Sequence, residues 1–334
     1  MAESDRIAVL GAGNWGTTLA YILSQRGYRI GLWEYREDLA RDLAALRENR
    51  IYLPGVILPP EVDVTPSLGQ ALQKAAVCLF ALPSQSLREA CQQAAPFITP
   101  HQLVISCVKG LEHHTRLRMS QVIEEVLGRQ KIRLAVLSGP NIAGEIARGM
   151  PATSVAAALD PNDALAVQRI FHSKNFRIYT SGDVVGVEFG GALKNIIAIA
   201  SGMVDGLGLG ANTKGALITR GLAEIIRLGT ALGANQETFY GLSGLGDLVT
   251  TCMSRQSRNW NVGYRLGQGE RWDDIQRSLT MVAEGVPTAE SALRLAEQRG
   301  IEMPISQAVY QIIFEDKDPR QAMEELMTRE AKPE

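Results

Sequence analysis

Apolar residues recur through the first half of the chain as short continuous runs separated by polar, helix-like stretches. Residues 7–10 form the first run, followed by a glycine turn and a helical stretch over 17–25. Residues 28–33 form the second, and the charges of 36–47 fall on one side of a helix. Residues 77–82 and 103–108 are unbroken apolar runs bounded by turn residues. Such runs suit parallel strands buried on both faces. Residues 134–137, 153–157 and 176–179 predict further strands, with helices over 85–95, 117–127 and 162–172. The alternation predicts an α/β fold, an N-terminal Rossmann-like doubly wound sheet. Right-handed crossovers place the loops after its strands along one edge.

The pattern changes near residue 187. Helical periods take over, strand-like runs stop, and glycines cluster at 206–210 and 241–246. Residues 289–299 and 305–314 predict late amphipathic helices. The expected division is a Rossmann-like sheet domain over 1–188 and an all-helical domain over 189–334. The apolar stretch 189–204 contains Lys194 and Asn195 and is short for a membrane span, so it predicts a buried core helix. The polar first six residues carry no apolar signal core, so no secretion signal is expected.

Composition narrows the function classes. The 334 residues carry a net charge of −2, which gives no global positive field for nucleic acid or acidic lipid. The four cysteines form no C-x-x-C pair and have no histidine at zinc-ligand spacing. No metal site is expected. Cys78 and Cys107 lie in apolar runs as core thiols, and a reduced, cytoplasmic protein follows.

The chemistry begins at Gly11-Ala-Gly-Asn-Trp-Gly16. The motif follows a strand and opens a helix. Gly11 suits the tight turn, Gly13 the close approach of a pyrophosphate, and Gly16 the packing of helix on strand. The helix N-terminus offers its N–H groups to phosphate. Glu34 lies 23 positions after Gly11, near where an acidic residue meets ribose hydroxyls. That favours NAD, whereas Arg36 suits the 2′-phosphate of NADP. Both cofactors stay open, as does Glu34 as an ordinary strand-end carboxylate.

Lys194 lies in a segment apolar on nearly every face. A lysine buried there suits proton transfer; one that snorkels to solvent does not. Lys109 follows a strand, at the edge where ligands bind in such sheets, or is a surface loop lysine. Ser138-Gly-Pro-Asn141 predicts a turn with Asn141 as helix N-cap. Ser257-Arg-Asn259 offers a hydroxyl, a guanidinium fork and an amide, which suit a phosphate group or a solvated turn.

Taken together, these segments resemble the bacterial NAD(P)-dependent glycerol-3-phosphate dehydrogenases. The matching pieces are Gly-Ala-Gly-Asn-Trp-Gly-Thr at 11–17, Val-Lys-Gly-Leu-Glu at 108–112 and Ser-Gly-Pro-Asn at 138–141. Gly-Ala-Leu-Lys-Asn at 191–195, Gly-Leu-Gly-Asp-Leu at 244–248, Ser-Arg-Asn at 257–259 and Met-Val-Ala-Glu-Gly at 281–285 complete the set. The resemblance implies a soluble oxidoreductase that reversibly reduces dihydroxyacetone phosphate to sn-glycerol 3-phosphate for glycerophospholipid biosynthesis. It implies Lys194 as proton donor and acceptor, with Lys109, Gly139, Asn141, Asn195, Asp247, Ser257, Arg258 and Asn259 about the substrate. It implies cofactor contacts from Asn14, Trp15, Lys109, Ala143, Arg258, Val282 and Glu284, beside Gly11, Gly13, Gly16, Glu34, Tyr35 and Arg36. A homodimer is implied, with small molecules as partners and neither nucleic acid nor membrane. Asn141 stands where many relatives carry Ser or Thr, and Tyr35 where many carry Arg or His. The alternatives are a dehydrogenase of hydroxy acids and a cofactor sensor without catalysis.

Overall fold

The computed structural model describes residues 6–331; residues 1–5, most of the stretch from which no secretion signal is expected, lie outside them. The described chain forms two compact units. One takes the residues up to Lys109 and Arg118–Val184; the other takes Gly110–Leu117 and the chain from Val185 onward. The chain thus passes between units at Val184 and Val185, a few residues before the sequence-based boundary, and a short earlier segment groups with the second unit.

The first unit holds strands β1 (Arg6–Leu10), β2 (Arg29–Trp33), β3 (Val62–Thr65), β4 (Ala75–Phe80), β5 (Leu103–Ser106), β6 (Arg133–Ser138), β7 (Ala152–Ala157) and β8 (Phe176–Ser181). They form one sheet in the order β3-β2-β1-β4-β5-β6-β7-β8. Sequence patterning misses β3. Its Val-Asp-Val-Thr run alternates and pairs only with β2 at the sheet edge, so it shows no continuous apolar stretch. All neighbouring pairs are parallel except β6 and β7, as in the doubly wound sheet that the alternation predicts, with one antiparallel pairing. The amino end of β7 therefore lies beside the carboxyl end of β6, with Ser138 opposite Val155.

The strand order turns back at β1, whose neighbours are β2 on one side and β4 on the other. Open α/β sheets take ligands at such a switch point, at the carboxyl ends of the strands. Leu10 and Phe80 are paired there, at the ends of β1 and β4. Ile7, Val9, Val77 and Leu79 on these strands are fully buried, so the end of β1 rises from rigid core.

The second unit has no strand among its described residues from Val185 onward. Its centre is the helix Val184–Gly206, which is long and apolar enough to cross a membrane but is buried in protein along most of its length. Ile196, Ile199 and Met203 pack there with Leu222, Ile225 and Val262. Helix Arg258–Gly267 crosses it at backbone contact. A Cβ on Gly202 would meet Trp260 O at 2.0 Å, and one on Gly263 would meet Ile199 O at 1.8 Å.

Glu224, in helix Ala211–Ala231, is almost fully buried. It accepts the Ile305 N–H at 2.6 Å, the Ser306 N–H at 3.1 Å and the Ser306 hydroxyl at 2.9 Å. The two N–H groups are orphan donors of helix Pro304–Phe314, whose first residue has no N–H to satisfy. Burial raises the Glu224 pKa, against the pull of those hydrogen bonds and of Arg227. A carboxyl raised in the folded state favours folding most below its unfolded value and loses that contribution as pH rises through the folded value. The stability of the parent protein relative to Glu224→Gln is therefore expected to shrink from pH 4 to pH 8. Urea melts of both proteins at each pH check this, and a difference that widens with pH contradicts it.

All four cysteines are buried and free. Burial pushes Cys91, Cys107 and Cys252 up to about 12, and Cys78 well above the ordinary thiol value. Protonated, inaccessible thiols are inert.

Candidate active site

At the end of β1 the chain turns at Gly11, with φ +114°. A Cβ there would meet Ala81 O at 2.5 Å, and one on Gly16 would meet Gly11 O at 1.8 Å. Those two glycines are required by the protein itself. Gly13 differs: its Cβ would meet nothing within 4 Å, so it borders open space. Helix Asn14–Ser24 begins next, with no side-chain cap. Its first N–H groups and partial positive charge are therefore available to an anion. Among the described residues, the buried Asn14 Oδ1 and Trp15 Nε1 find no hydrogen-bond partner. A buried polar atom without a partner costs about 1–3 kcal/mol, and a polar ligand removes that cost. The turn, the uncapped helix and the two orphan atoms fit a dinucleotide.

At the end of β2, Glu34 is buried and Arg36 half-buried. Sequence sets them up as alternatives, but the structure joins them. Arg36 Nε donates to Glu34 Oε1 at 3.0 Å, and Arg36 Nη2 donates to Tyr52 Oη at 3.0 Å. The guanidinium lies 5.5 Å from the Tyr35 ring centre and 5.6 Å from that of Tyr52. Burial works against the Arg36 charge, but Glu34 and Tyr52 outweigh it and hold its pKa above the ordinary value. Tyr52 is absent from the sequence-based set, because no spacing rule links it to the strand end.

Beyond β5, Lys109 Nζ donates to Gly139 O at 2.9 Å. Gly139 follows β6 with φ +155°, and a Cβ there would meet Ser154 Cα at 2.8 Å. Asn141 is not the helix cap that sequence predicts. The helix starts at Ala143, its cap position is Ile142, and no side chain caps it. Asn141 Nδ2 instead donates to Thr153 O at 3.1 Å, and its Oδ1 accepts from Ser154 Oγ at 2.6 Å. The antiparallel β7 brings those partners to the end of β6. The Ala143 carbonyl accepts from Thr18 Oγ1 at 3.4 Å.

In the helical unit, Lys194 is 6% exposed and Asp247 is 1% exposed. Lys194 Nζ donates to Asp247 Oδ1 at 2.8 Å and to Thr251 Oγ1 at 2.6 Å. The snorkelling alternative is thereby excluded. A buried ammonium carries a desolvation penalty of several kcal/mol that only a well-placed counter-ion offsets. Asp247 opens helix Asp247–Met253, directly after a wide helical turn at Leu242–Gly246. Gly244 has no room for a Cβ, which would meet Phe239 O at 2.2 Å. Thr251, which sequence reading missed, follows Asp247 by one helical turn and shares its face. Its hydroxyl donates to Asp247 O at 2.6 Å.

Asn195, next to Lys194, accepts from Asn259 Nδ2 at 2.8 Å through its Oδ1. Asn259 Oδ1 accepts from the Gly285 N–H at 2.9 Å. The amide of Asn259 is thus built into the fold. Ser257 caps helix Arg258–Gly267, accepting from the Trp260 N–H at 3.2 Å, and keeps its own proton to donate. Arg258 is exposed, yet burial of its charge by surrounding protein lowers its pKa, partly offset by Glu284. It remains a cation that solutes can reach. Val282 is 42% exposed. Among the described residues, no group of three or more His, Cys, Asp or Glu side chains is placed to hold a metal ion.

Two family models match the chain in succession. The N-terminal model of NAD-dependent glycerol-3-phosphate dehydrogenase covers residues 6–164, and the C-terminal model covers 183–324. The chain belongs to the NAD-dependent glycerol-3-phosphate dehydrogenase family. It is 51% identical over 332 residues to a glycerol-3-phosphate dehydrogenase [NAD(P)+] of Geobacter sulfurreducens, covering 99% of each chain. A Chlorobium limicola protein of the same name is 47% identical over 329 residues, covering 98% of this chain and 99% of its own. The crystal structure of glycerol-3-phosphate dehydrogenase from Coxiella burnetii aligns with a TM-score of 0.94 at 38% identity, covering 98% of this chain and 100% of that one. Membership in this family sets aside the hydroxy-acid alternative.

Proposed function

We propose that the chain catalyses the reversible reduction of dihydroxyacetone phosphate to sn-glycerol 3-phosphate with NADH or NADPH, and so supplies glycerophospholipid synthesis. The observation that carries this reading is the buried Lys194–Asp247 pair, within a chain of this family. The sheet unit takes the dinucleotide through Gly11, Gly13, Asn14, Trp15 and Gly16, and the helical unit carries the substrate chemistry. The bound nicotinamide supplies the hydride. Lys194 meets the negative charge that grows on the substrate carbonyl oxygen and delivers a proton to it. Asp247 holds the ammonium charged and aimed, and Thr251 fixes its direction. In the reverse direction the same lysine takes the alcohol proton back. Lys109, Gly139 and Asn141 belong to the substrate set, and Lys109, Ala143, Val282 and Glu284 to the cofactor set.

Arg258, reachable and cationic, grips the substrate phosphate with Ser257. Asn259 and Asn195 act by placing their neighbours. Losing a charge-assisted contact of about 1.5–3 kcal/mol raises KM about 10- to 100-fold. Arg258→Ala is expected to raise KM for dihydroxyacetone phosphate by that order in initial-rate assays. An unchanged KM removes Arg258 from the phosphate role.

The cofactor preference rests on the Glu34–Arg36–Tyr52 group. Arg36 offers a cation to a 2′-phosphate, while Glu34 keeps an oxygen for ribose hydroxyls, so both NADH and NADPH are taken as substrates. A cytoplasmic homodimer completes the proposal and is supported by the resemblance alone. The test is an absorbance assay of dihydroxyacetone phosphate with each reduced cofactor. Oxidation of neither supports the sensor reading instead.

A further inference from the structure

We infer that Asn49 is a positioning residue for the cofactor: it orients the Ala12–Gly13 peptide so that the Gly13 N–H faces the pyrophosphate. The inference rests on the dinucleotide reading above. Asn49 lies in the loop after helix Glu37–Leu46, outside every motif named so far, and is 1% exposed. Its Nδ2 donates to Ala12 O at 2.7 Å and to Thr17 Oγ1 at 2.8 Å. Thr17 Oγ1 in turn donates to Ala12 O at 3.1 Å. Two side chains therefore hold one carbonyl, in the middle of the glycine turn.

A trans peptide is planar, and its C=O and N–H point in opposite directions. No peptide in the described chain is cis. Pulling Ala12 O toward Asn49 thus turns the Gly13 N–H the other way. Gly13 borders open space, where an added Cβ would meet nothing within 4 Å. The backbone bonds of the turn run from Gly11 N–H to Trp33 O and from Thr17 N–H to Gly13 O, and they do not use the Gly13 N–H. Asn49 also accepts the Tyr52 N–H at 3.1 Å through Oδ1, and the Tyr52 hydroxyl accepts from Arg36. One amide thereby braces both the phosphate turn and the residue that holds Arg36.

Asn49→Asp separates these roles. The isosteric carboxylate keeps the acceptor for Tyr52 but sets an oxygen against Ala12 O. It is expected to weaken NADH and NADPH binding at least tenfold by fluorescence titration. The KM for dihydroxyacetone phosphate at saturating cofactor should stay within twofold. Competition by ADP, which carries a pyrophosphate, should weaken in parallel, whereas competition by AMP should not. Thr17→Val, also isosteric, removes the second hold and should weaken cofactor binding at least threefold; it decides the matter if the Asp variant does not fold. Parent-like cofactor affinity in the folded variants, or equal losses for ADP and AMP, overturns the inference. A parent protein that binds neither reduced cofactor overturns the dinucleotide reading itself.

Discussion

Lys194→Ala is expected to lower kcat by about 10³-fold or more, while NADH and NADPH bind with nearly unchanged affinity. The lysine is asked for two things in one step, countering charge on the carbonyl oxygen and delivering a proton. Both tasks fall to the ammonium that Asp247 holds at 2.8 Å. The variant also leaves Asp247 buried without its cation, which costs about 3–5 kcal/mol of stability. Activity and folding must therefore be read apart. Adding Asp247→Asn removes the stranded charge and should recover part of the thermal stability without recovering kcat. Cofactor titration reports on the sheet unit, where the glycine turn lies, and serves as the control for a folded protein. A Lys194→Ala enzyme within tenfold of the parent kcat would falsify the proton-transfer role.

Gly263→Ala should lower stability by about 3 kcal/mol, at the upper end of the usual range for overpacking. Intrinsic helix preference alone would favour alanine by about 1 kcal/mol. Contact decides the sign. The new Cβ would lie 1.8 Å from Ile199 O, a backbone atom of the central helix, and backbone cannot swing aside like a side-chain tip. The two helices must separate instead, and Val262 and Leu266 lose their packing in the shared core. Such a loss corresponds to a Tm fall of about 6–12 °C in a unit of this size. Because Arg258 opens the same helix, KM for the phosphorylated substrate should rise as well. Gly215→Ala is the matched control. That helical glycine has nothing within 4 Å of its added Cβ, so alanine should be neutral or slightly stabilising. Equal melts for the two variants contradict the close crossing.

The fold was legible wherever burial on both faces leaves an unbroken apolar run. Strands β1, β4 and β5 announce themselves this way. The β3 strand does not, because an edge strand needs no such run. The direction of β7 was not legible either, since a run of apolar residues reads alike in parallel and antiparallel pairing. That reversal explains Asn141. From sequence it looked like a cap, but its partners come from a strand whose arrival beside β6 no local rule foretells. Lys194 stood out because a charge in an apolar helix demands a partner. Asp247 came from the family resemblance rather than from any spacing, being 53 positions away. Thr251 needed only the four-residue step from Asp247. Glu34 and Arg36 were seen singly, but their union through a side-chain hydrogen bond was not.

Asn259 has a consequence for how such a protein changes over generations. Its amide ties Asn195, beside Lys194, to Gly285, beside Glu284, and it follows Arg258 in the chain. Three distant stretches of sequence thereby share one small side chain. None of them can drift alone, because a replacement lacking both donor and acceptor disconnects the other two. Lineages that alter the substrate would have to alter all three stretches together, or keep this asparagine and change only what surrounds it.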